Sequence, residues 1–217
     1  LYAYIANSSA LDDLDCFSMF GTNSFNLVWE KVCAEVMDNQ LQKPIGGLRL
    51  PMPLAEQYRD MRHKKLIDLI DKPQWSGTAP NSELFVKQAE DTLIPDLISI
   101  VNVDGNYQFI IFDAKYYNIQ LEHNKKLRGQ PGIESITKQY LYQLAYQPFV
   151  EAHQIGTVRN CFLMPTSSAE IVEKGTASLS MLSELGLQDF QVRLLPAEMM
   201  YRHYIDNTKL DLQLLNL

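Results

Sequence analysis

The chain has 217 residues, of which 46% are hydrophobic and 21% are charged, so it can bury one substantial core and a single compact domain is the default expectation. No apolar run is long enough to cross a bilayer. The formal net charge of −7 argues against a dedicated, high-affinity nucleic-acid binder that acts alone.

The cysteines Cys16, Cys33 and Cys161 form no Cys-x-x-Cys pair, and the histidines do not cluster with them. A structural zinc site or a disulfide framework is therefore not expected, and a reducing cytoplasm fits this pattern best. The chain begins with Leu1 rather than methionine, which is compatible with a piece cut from a longer protein. We expect one cytoplasmic domain over residues 1–217, without a membrane segment.

The first predicted element is an amphipathic helix from Ser24 to Asn39, in which apolar residues recur on one side at helical spacing. Thr22, Asn23 or Ser24 is available as its N-cap. The segment Leu41–Pro53 contains two glycines and three prolines, so we expect a loop or a short extended segment there.

The strongest local signal is a β-hairpin. The runs Leu93–Val103 and Asn106–Tyr117 are rich in Ile, Val, Phe and Tyr, and they meet at Asp104-Gly105. This dipeptide accepts the positive φ angles of a type I′ turn, so the two runs are predicted to pair as antiparallel strands.

A helix is predicted from Ser135 to Val150, and Pro148 should kink it or end it early. The next element, Val158–Met164, is typical of a buried strand that Pro165 stops.

A further strand is predicted at Gln191–Leu195, and Pro196 is well placed to start a last helix through Tyr204. Helix, hairpin, helix, strand, strand and helix in this order predict an α/β fold with a mixed central β-sheet flanked by helices.

The hairpin brings two carboxylates together. If the turn is centred on Asp104-Gly105 without a bulge, Asp96 lies opposite Asp113 on the same face. Two facing carboxylates repel each other unless a cation lies between them, and oxygen ligands of this kind suit Mg²⁺. Acidic metal ligands add negative charge, so the net charge of −7 does not exclude a nuclease.

Strand alternation places Lys115 on the same face as Asp113 and turns Ala114 inward. A lysine beside a metal can steer or deprotonate an attacking water and can balance the negative charge of a phosphorane-like transition state. The three side chains therefore indicate metal-assisted phosphodiester hydrolysis.

Pro95-Asp96, followed by Asp113-Ala114-Lys115 at the end of the next strand, resembles the signature of the PD-(D/E)XK nuclease superfamily. Glu30 on the first helix matches the acidic residue that many such nucleases place ahead of the hairpin. Gln143-Leu144-Ala145-Tyr146 resembles the Gln-Leu-x-x-Tyr-like element that follows the core in several of them.

More narrowly, the segments 28–33, 113–117 and 142–146 resemble the LlaJI and McrC-type restriction nucleases. The resemblance covers about residues 20–165, which would form a restriction-endonuclease-like core. Met52–Ser82 has no counterpart and is interpreted as a family-specific insertion.

The resemblance implies a Mg²⁺-dependent DNA endonuclease, in which Mn²⁺ can substitute, acting as the cleavage subunit or domain of a restriction system. It also implies DNA as substrate, a nucleotide-hydrolysing (McrB-like) partner subunit and a separate recognition domain. The metal would be held by Asp96 and Asp113, with the Ala114 carbonyl as a further ligand, while Glu30 would bind the metal or a water on it.

Lys115 would orient or activate the nucleophile, and Gln143 and Tyr146 would shape the site near the phosphate. Gln139, Gln143 and Tyr146 share one side of the predicted helix, although they also suit the polar edge of any helix. Two basic groups, Arg62–Lys65 and Lys125 to Arg128, are either solvated surface or phosphate contacts.

The sequence leaves two rival interpretations open. One is a repair or recombination nuclease of the same fold, and the other is a catalytically silent DNA-binding or assembly module. The intact trio Asp96, Asp113 and Lys115 argues against the silent module, because a degenerate copy usually loses at least one of these residues.

Overall fold

A computed structural model describes residues 24–217 of the chain. The α-helices in this part are α1 (Phe25–Val36), α2 (Ile133–Ala152) and α3 (Ala197–Ile205). The β-strands are β1 (Gln74–Thr78), β2 (Leu84–Gln88), β3 (Leu97–Val103), β4 (Asn106–Ala114), β5 (Thr157–Thr166), β6 (Val172–Ala177) and β7 (Phe190–Pro196). Short 3₁₀ helices cover Ile45–Gly47, Glu56–Met61, Leu66–Leu69, Ser180–Leu185 and Leu212–Leu215.

The centre of the fold is a five-stranded mixed sheet in the order β3-β4-β5-β7-β6. The pairs β3–β4 and β7–β6 are antiparallel, whereas β4–β5 and β5–β7 are parallel. On one face, Trp29 of α1 and Met200 of α3 share a buried cluster with Phe112. On the other face, Tyr146 of α2 packs with Phe109. The predicted α/β architecture is therefore confirmed, and it is compatible with a nuclease-like core.

The hairpin formed by β3 and β4 has the predicted turn and register. Asp104 and Gly105 have φ angles of 50° and 89°, as a type I′ turn requires. Val103 lies opposite Asn106, and the pairing continues without a bulge to Leu97 opposite Phe112. The strands are shorter than the two apolar runs, because β3 starts at Leu97 and β4 ends at Ala114.

Helix α1 has the predicted apolar face, with Trp29, Val32, Cys33 and Val36 all buried. It begins after Ser24, and the other candidate caps lie outside the described residues. The helix ends at Val36, three residues before the predicted end. The reason is local, because Asp38 adopts a positive φ of 52° and the side chain of Asn39 binds the backbone of β3.

A helix and a strand each continue past a proline at which the sequence predicts a kink or an end. Helix α2 does not end early at Pro148 but continues to Ala152. Pro148 lies on the exposed side, while the following residues Phe149 and Val150 are buried and hold the last turn in place. The carbonyl that loses its helical N–H donor belongs to Leu144, which is also exposed and therefore within reach of water.

Strand β5 likewise continues past Pro165 to Thr166, where it pairs with β7. Its pairing with β4 ends at Leu163, opposite Ala114. Pro165 therefore lies where β5 has one neighbouring strand, and a missing N–H is tolerated there.

The sequence patterns did not predict β1, β2 or β6. β1 and β2 form a separate antiparallel two-stranded sheet whose residues are almost all exposed. β6 is an edge strand with an irregular register between Glu173 and Gly175. None of the helices within residues 24–217 is long and apolar enough to cross a membrane.

Candidate active site

Asp96 and Asp113 come together where the β3–β4 hairpin ends. Because Leu97 lies opposite Phe112, the residue before β3 falls opposite Asp113, next to the last residue of β4. One carboxylate oxygen of Asp96, Oδ2, accepts a hydrogen bond from the backbone N–H of Ala114 at 2.9 Å. The structure thus brings the two predicted aspartates side by side.

Asp96 holds its proton more tightly than an ordinary aspartate does. Burial, a hydrogen bond with Asp113 and the negative charge of Asp113 raise the pKa of Asp96 to about 8. The positive charge of Lys115 and the N–H of Ala114 oppose this rise but do not cancel it. A bound cation would offset the repulsion between the two groups and favour the ionised form of Asp96.

Lys115 follows the pair on the same side of β4. Its Nζ lies 2.6 Å from Oδ1 of Asp113. Burial lowers the pKa of Lys115, but the hydrogen bond with Asp113 and the nearby negative groups raise it more, so the net shift is upward. The Lys115 side chain is therefore an ammonium group at neutral pH.

The carbonyl of Ala114 is a further oxygen at this edge. Ile98 directs its N–H and C=O away from β4, toward Asn39 and Gln40, so the odd-numbered residues of β3 direct theirs toward β4. Extending the register by two residues places Pro95 opposite Ala114. Proline has no N–H, so the Ala114 carbonyl receives no hydrogen bond from that position and can face a cation.

Glu30 approaches the site from α1. Burial raises the pKa of Glu30, the positive charge of Lys115 opposes this, and the negative charge of Asp113 adds to it. Both residues are thus within electrostatic reach of Glu30. The structure brings this predicted residue to the edge of the site, but not into direct contact with the aspartate pair.

Trp29 fixes α1 to the strand end that carries Lys115. The indole Nε1 of Trp29 donates to the carbonyl of Leu163 at 3.0 Å, and the backbone N–H of Lys115 donates to the same carbonyl at 2.9 Å. Glu30 is the next residue on α1. One buried carbonyl therefore sets the relative positions of Glu30 and Lys115.

Tyr142 and Asn39 are two site residues that the sequence patterns did not predict. The hydroxyl of Tyr142 donates to the Ile94 carbonyl at 2.8 Å. Burial raises the pKa of Tyr142, and the charges of Asp96 and Asp113 raise it further. Asn39 Nδ2 donates to the Asp96 carbonyl at 3.4 Å. Both side chains hold the backbone around Asp96, and no local sequence signal reports such long-range contacts.

Gln143 and Tyr146 make their polar contacts away from the aspartates. They share one side of α2 with Gln139, and all three side chains are buried against the sheet. Gln143 Oε1 accepts from Asn160 Nδ2 at 2.8 Å and from the Gln188 N–H at 3.1 Å.

The hydroxyl of Tyr146 donates to the carbonyl of Leu66 at 3.3 Å. Its ring lies 5.2 Å from that of Phe109 in the core. Tyr142, on the same helix, instead binds the Ile94 carbonyl, two residues before Asp96.

The residues at this edge fit a divalent cation. Within residues 24–217, no three His, Cys, Asp or Glu side chains form a group that could hold a metal by themselves. Mg²⁺, however, keeps several waters and is usually held by one or two carboxylates together with substrate phosphate. Asp96, Asp113 and the Ala114 carbonyl supply oxygen donors of this kind.

The two basic groups lie in different surroundings. Lys125, Lys126 and Arg128 are exposed in the loop that starts directly after Lys115. Backbone hydrogen bonds between Gln120 and Arg128 close this loop. The run Arg62–Lys65 lies in the segment between two 3₁₀ helices and is largely exposed.

The family model of the LlaJI restriction endonuclease matches residues 56–199. The chain is also 30% identical over 190 residues to the protein named "Type II restriction enzyme BsuMI component YdjA" from Bacillus subtilis (strain 168). That alignment covers 88% of this chain and 34% of the relative, so the chain spans about a third of the relative's length. No solved structure matches the chain at a significant level.

Proposed function

The chain belongs to the LlaJI restriction endonuclease family, and from this premise we propose that it is a Mg²⁺-dependent DNA endonuclease of the PD-(D/E)XK type. The observation that carries the proposal is the pairing of Asp96 with Asp113 beside the ammonium group of Lys115. The buried carboxylate of Asp96 beside the negative charge of Asp113 is an unfavourable arrangement for a purely structural hairpin, because the charge of Asp113 disfavours ionisation of Asp96.

The metal would be held by the Asp96 and Asp113 carboxylates and the Ala114 carbonyl. When bound, Mg²⁺ would polarise the scissile phosphate and lower the pKa of the attacking water. The carboxylate of Glu30 would orient that water by accepting a hydrogen bond from it. Trp29 supports this role because it anchors α1 next to Glu30.

Lys115 would act as a charged hydrogen-bond donor rather than as a base. The pKa of its side chain is raised overall, so at neutral pH it holds its proton. An ammonium group beside the phosphate can stabilise the negative charge that develops in the transition state. Tyr142 would position the Ile94-Pro95-Asp96 backbone through its bond to the Ile94 carbonyl.

We further propose that the chain works as one component of a restriction system that acts on DNA. The relative in Bacillus subtilis is named as a component of a restriction enzyme, and it is longer than this chain. A nucleotide-hydrolysing (McrB-like) partner and a separate recognition domain would supply movement along DNA and sequence specificity. The family match favours this role over DNA repair.

The direct test is incubation of the purified chain with supercoiled plasmid in Mg²⁺, Mn²⁺ or EDTA. We expect nicked and linear products with either metal and none with EDTA. A preparation that leaves the plasmid intact in both metals, with and without partner subunits, would contradict the proposal.

A further inference from the structure

Two exposed aromatic rings lie beside the candidate active site. Tyr116 directly follows Lys115, and its ring stacks on that of Phe25, the first residue of α1. The ring centroids are 5.9 Å apart and the planes are 23° from parallel. Phe25 is 42% exposed and Tyr116 is 45% exposed. We call this pair the aromatic platform. Large rings normally stabilise a protein by burial, so an exposed stacked pair suggests a contact with another molecule.

The inner side of the platform is supported by the core. Burial raises the pKa of Tyr201 on α3, and the neighbouring Tyr116 adds to this rise. Tyr201 in turn meets the fully buried Trp29 edge to face, with centroids 6.4 Å apart and planes at 73°. Tyr116 is therefore close to Tyr201, which packs on the core, while part of the platform stays exposed to solvent.

The charged groups next to the platform suit a phosphodiester. Lys115 precedes Tyr116 in the chain, and its ammonium group binds Asp113. In a nucleotide whose phosphate contacts Lys115, one sugar would separate the base from that phosphate. Consecutive Cα atoms are about 3.8 Å apart, so a DNA strand whose phosphate lies at the carboxylate pair would pass within about one nucleotide of the platform.

We propose that the aromatic platform stacks against an unpaired base of the strand that is cut, so the chain prefers single-stranded or locally opened DNA to intact duplex. This inference rests on the proposed nuclease function. In a duplex, neighbouring bases cover both faces of each base, so a base must leave the stack to meet a side chain. Stacking on aromatic rings holds unpaired bases without further phosphate contacts, which suits a chain with a net charge of −7.

The test is a binding titration in EDTA. The probe is a short single-stranded oligonucleotide that contains the fluorescent base 2-aminopurine, and the same sequence as duplex is the comparison. The double variant Phe25→Leu with Tyr116→Leu removes the platform. Trp75→Leu is the matched control, because Trp75 is 71% exposed in the separate sheet of β1 and β2.

We expect the wild type to bind the single strand more tightly than the duplex and to quench the 2-aminopurine. The double variant should lose about tenfold in single-strand affinity and most of the quenching. The slope of affinity against salt should not change, because no phosphate contact is removed. Trp75→Leu should behave as wild type. Tyr116→Trp keeps an aromatic ring and should retain binding, and it provides the test if the double variant does not fold.

Equal affinity of the wild type for both probes, or unchanged quenching in the folded double variant, would overturn the inference. A double variant that changes its oligomeric state but binds the single strand normally would also overturn it, because the platform would then contact protein. The proposed function is judged separately. If no DNA is cleaved with Mg²⁺ or Mn²⁺, the nuclease proposal fails, while the titration in EDTA still decides whether the platform binds bases.

Discussion

The carboxylate of Asp96 accepts a hydrogen bond from the backbone N–H of Ala114 at 2.9 Å, across the open end of the β3–β4 hairpin. This bond holds Asp96 against Asp113, and the resulting proximity contributes, together with burial, to its raised pKa. When no metal is bound, this arrangement therefore has an electrostatic cost, which is the repulsion between the two carboxylates.

The first prediction concerns that cost. The pKa of Asp96 is about 8 in the folded protein, whereas the ordinary value for an aspartate is 3.8, so the folded form holds the proton more tightly. Protonation of Asp96 therefore stabilises the folded protein fully at pH values below the unfolded pKa, and this stabilisation is lost as the pH rises toward 8. Asp96→Asn mimics the protonated acid. In EDTA at pH 8 we expect it to be more stable than wild type by about 1 kcal/mol or more, roughly 2–4 °C in melting temperature.

The difference in melting temperature between wild type and Asp96→Asn should narrow as the pH falls from 8 toward 4. Thermal unfolding monitored by circular dichroism over this range provides the measurement. A variant that melts below wild type at pH 8 in EDTA would show that the carboxylates do not repel each other.

The second prediction concerns Lys115. Its side chain contacts Asp113 and lies at the end of β4, so its removal takes little from the core. Lys115→Ala should reduce plasmid cleavage by at least about 100-fold, because the developing negative charge loses its donor. Folding and the response to metal should persist. Lys87→Ala, an exposed lysine on β2, is the control, and cleavage by Lys115→Ala at the rate of this control would refute the role of Lys115.

The third prediction separates two tyrosines on α2. Tyr142→Phe removes the bond to the Ile94 carbonyl and should lower cleavage about tenfold or more, because Asp96 is two residues further along. Tyr146→Phe removes a 3.3 Å bond to the Leu66 carbonyl and should leave cleavage within about twofold, with a stability loss of about 1 kcal/mol. Initial rates of plasmid nicking measure both effects. The opposite ranking would support the catalytic role for Tyr146 that the family resemblance implies.

The fourth prediction is that this chain binds DNA weakly by itself. Strong duplex binding normally rests on several lysine or arginine contacts to phosphate, and here 26 acidic residues outnumber the 19 lysines and arginines and repel the phosphates. Gel-shift titration near physiological salt should give a Kd on the order of micromolar or weaker, with a steep salt dependence. Nanomolar, sequence-specific binding without a partner would contradict the partner proposal.

The same titration can assign the basic groups. The loop with Lys125, Lys126 and Arg128 starts directly after Lys115, so its triple alanine variant should reduce the salt slope. Alanine substitution of Arg62, Lys64 and Lys65 should change it less. A larger loss from the second variant would place the DNA path over the 3₁₀ segment instead.

The hairpin and its carboxylates could be predicted because they depend on local rules. The Asp104-Gly105 turn fixes the register, and the register then determines which side chains share a face with Asp113. The position of Ala114 in the core follows from the same alternation.

Other features depend on contacts between distant parts of the chain. Tyr142 reaches a carbonyl 48 residues away, and Trp29 reaches one 134 residues away, so neither partner is visible in a sequence window. Pro148 is tolerated because Phe149 and Val150 are packed in the core. The strands β1 and β2 lack a buried face, and without one they give no alternating pattern.

We expect Asp96 and Asp113 together to bind the divalent cation that cleavage needs. The most direct measurement is the melting temperature in EDTA and in rising Mn²⁺ or Mg²⁺ for wild type, Asp96→Asn, Asp113→Asn and the exposed control Asp60→Asn. Because a cation that binds only the folded state stabilises it by mass action, wild type and Asp60→Asn should both melt at higher temperature with metal. The two site variants should respond much less. Equal shifts in all four proteins would contradict metal binding by Asp96 and Asp113 and place the metal elsewhere.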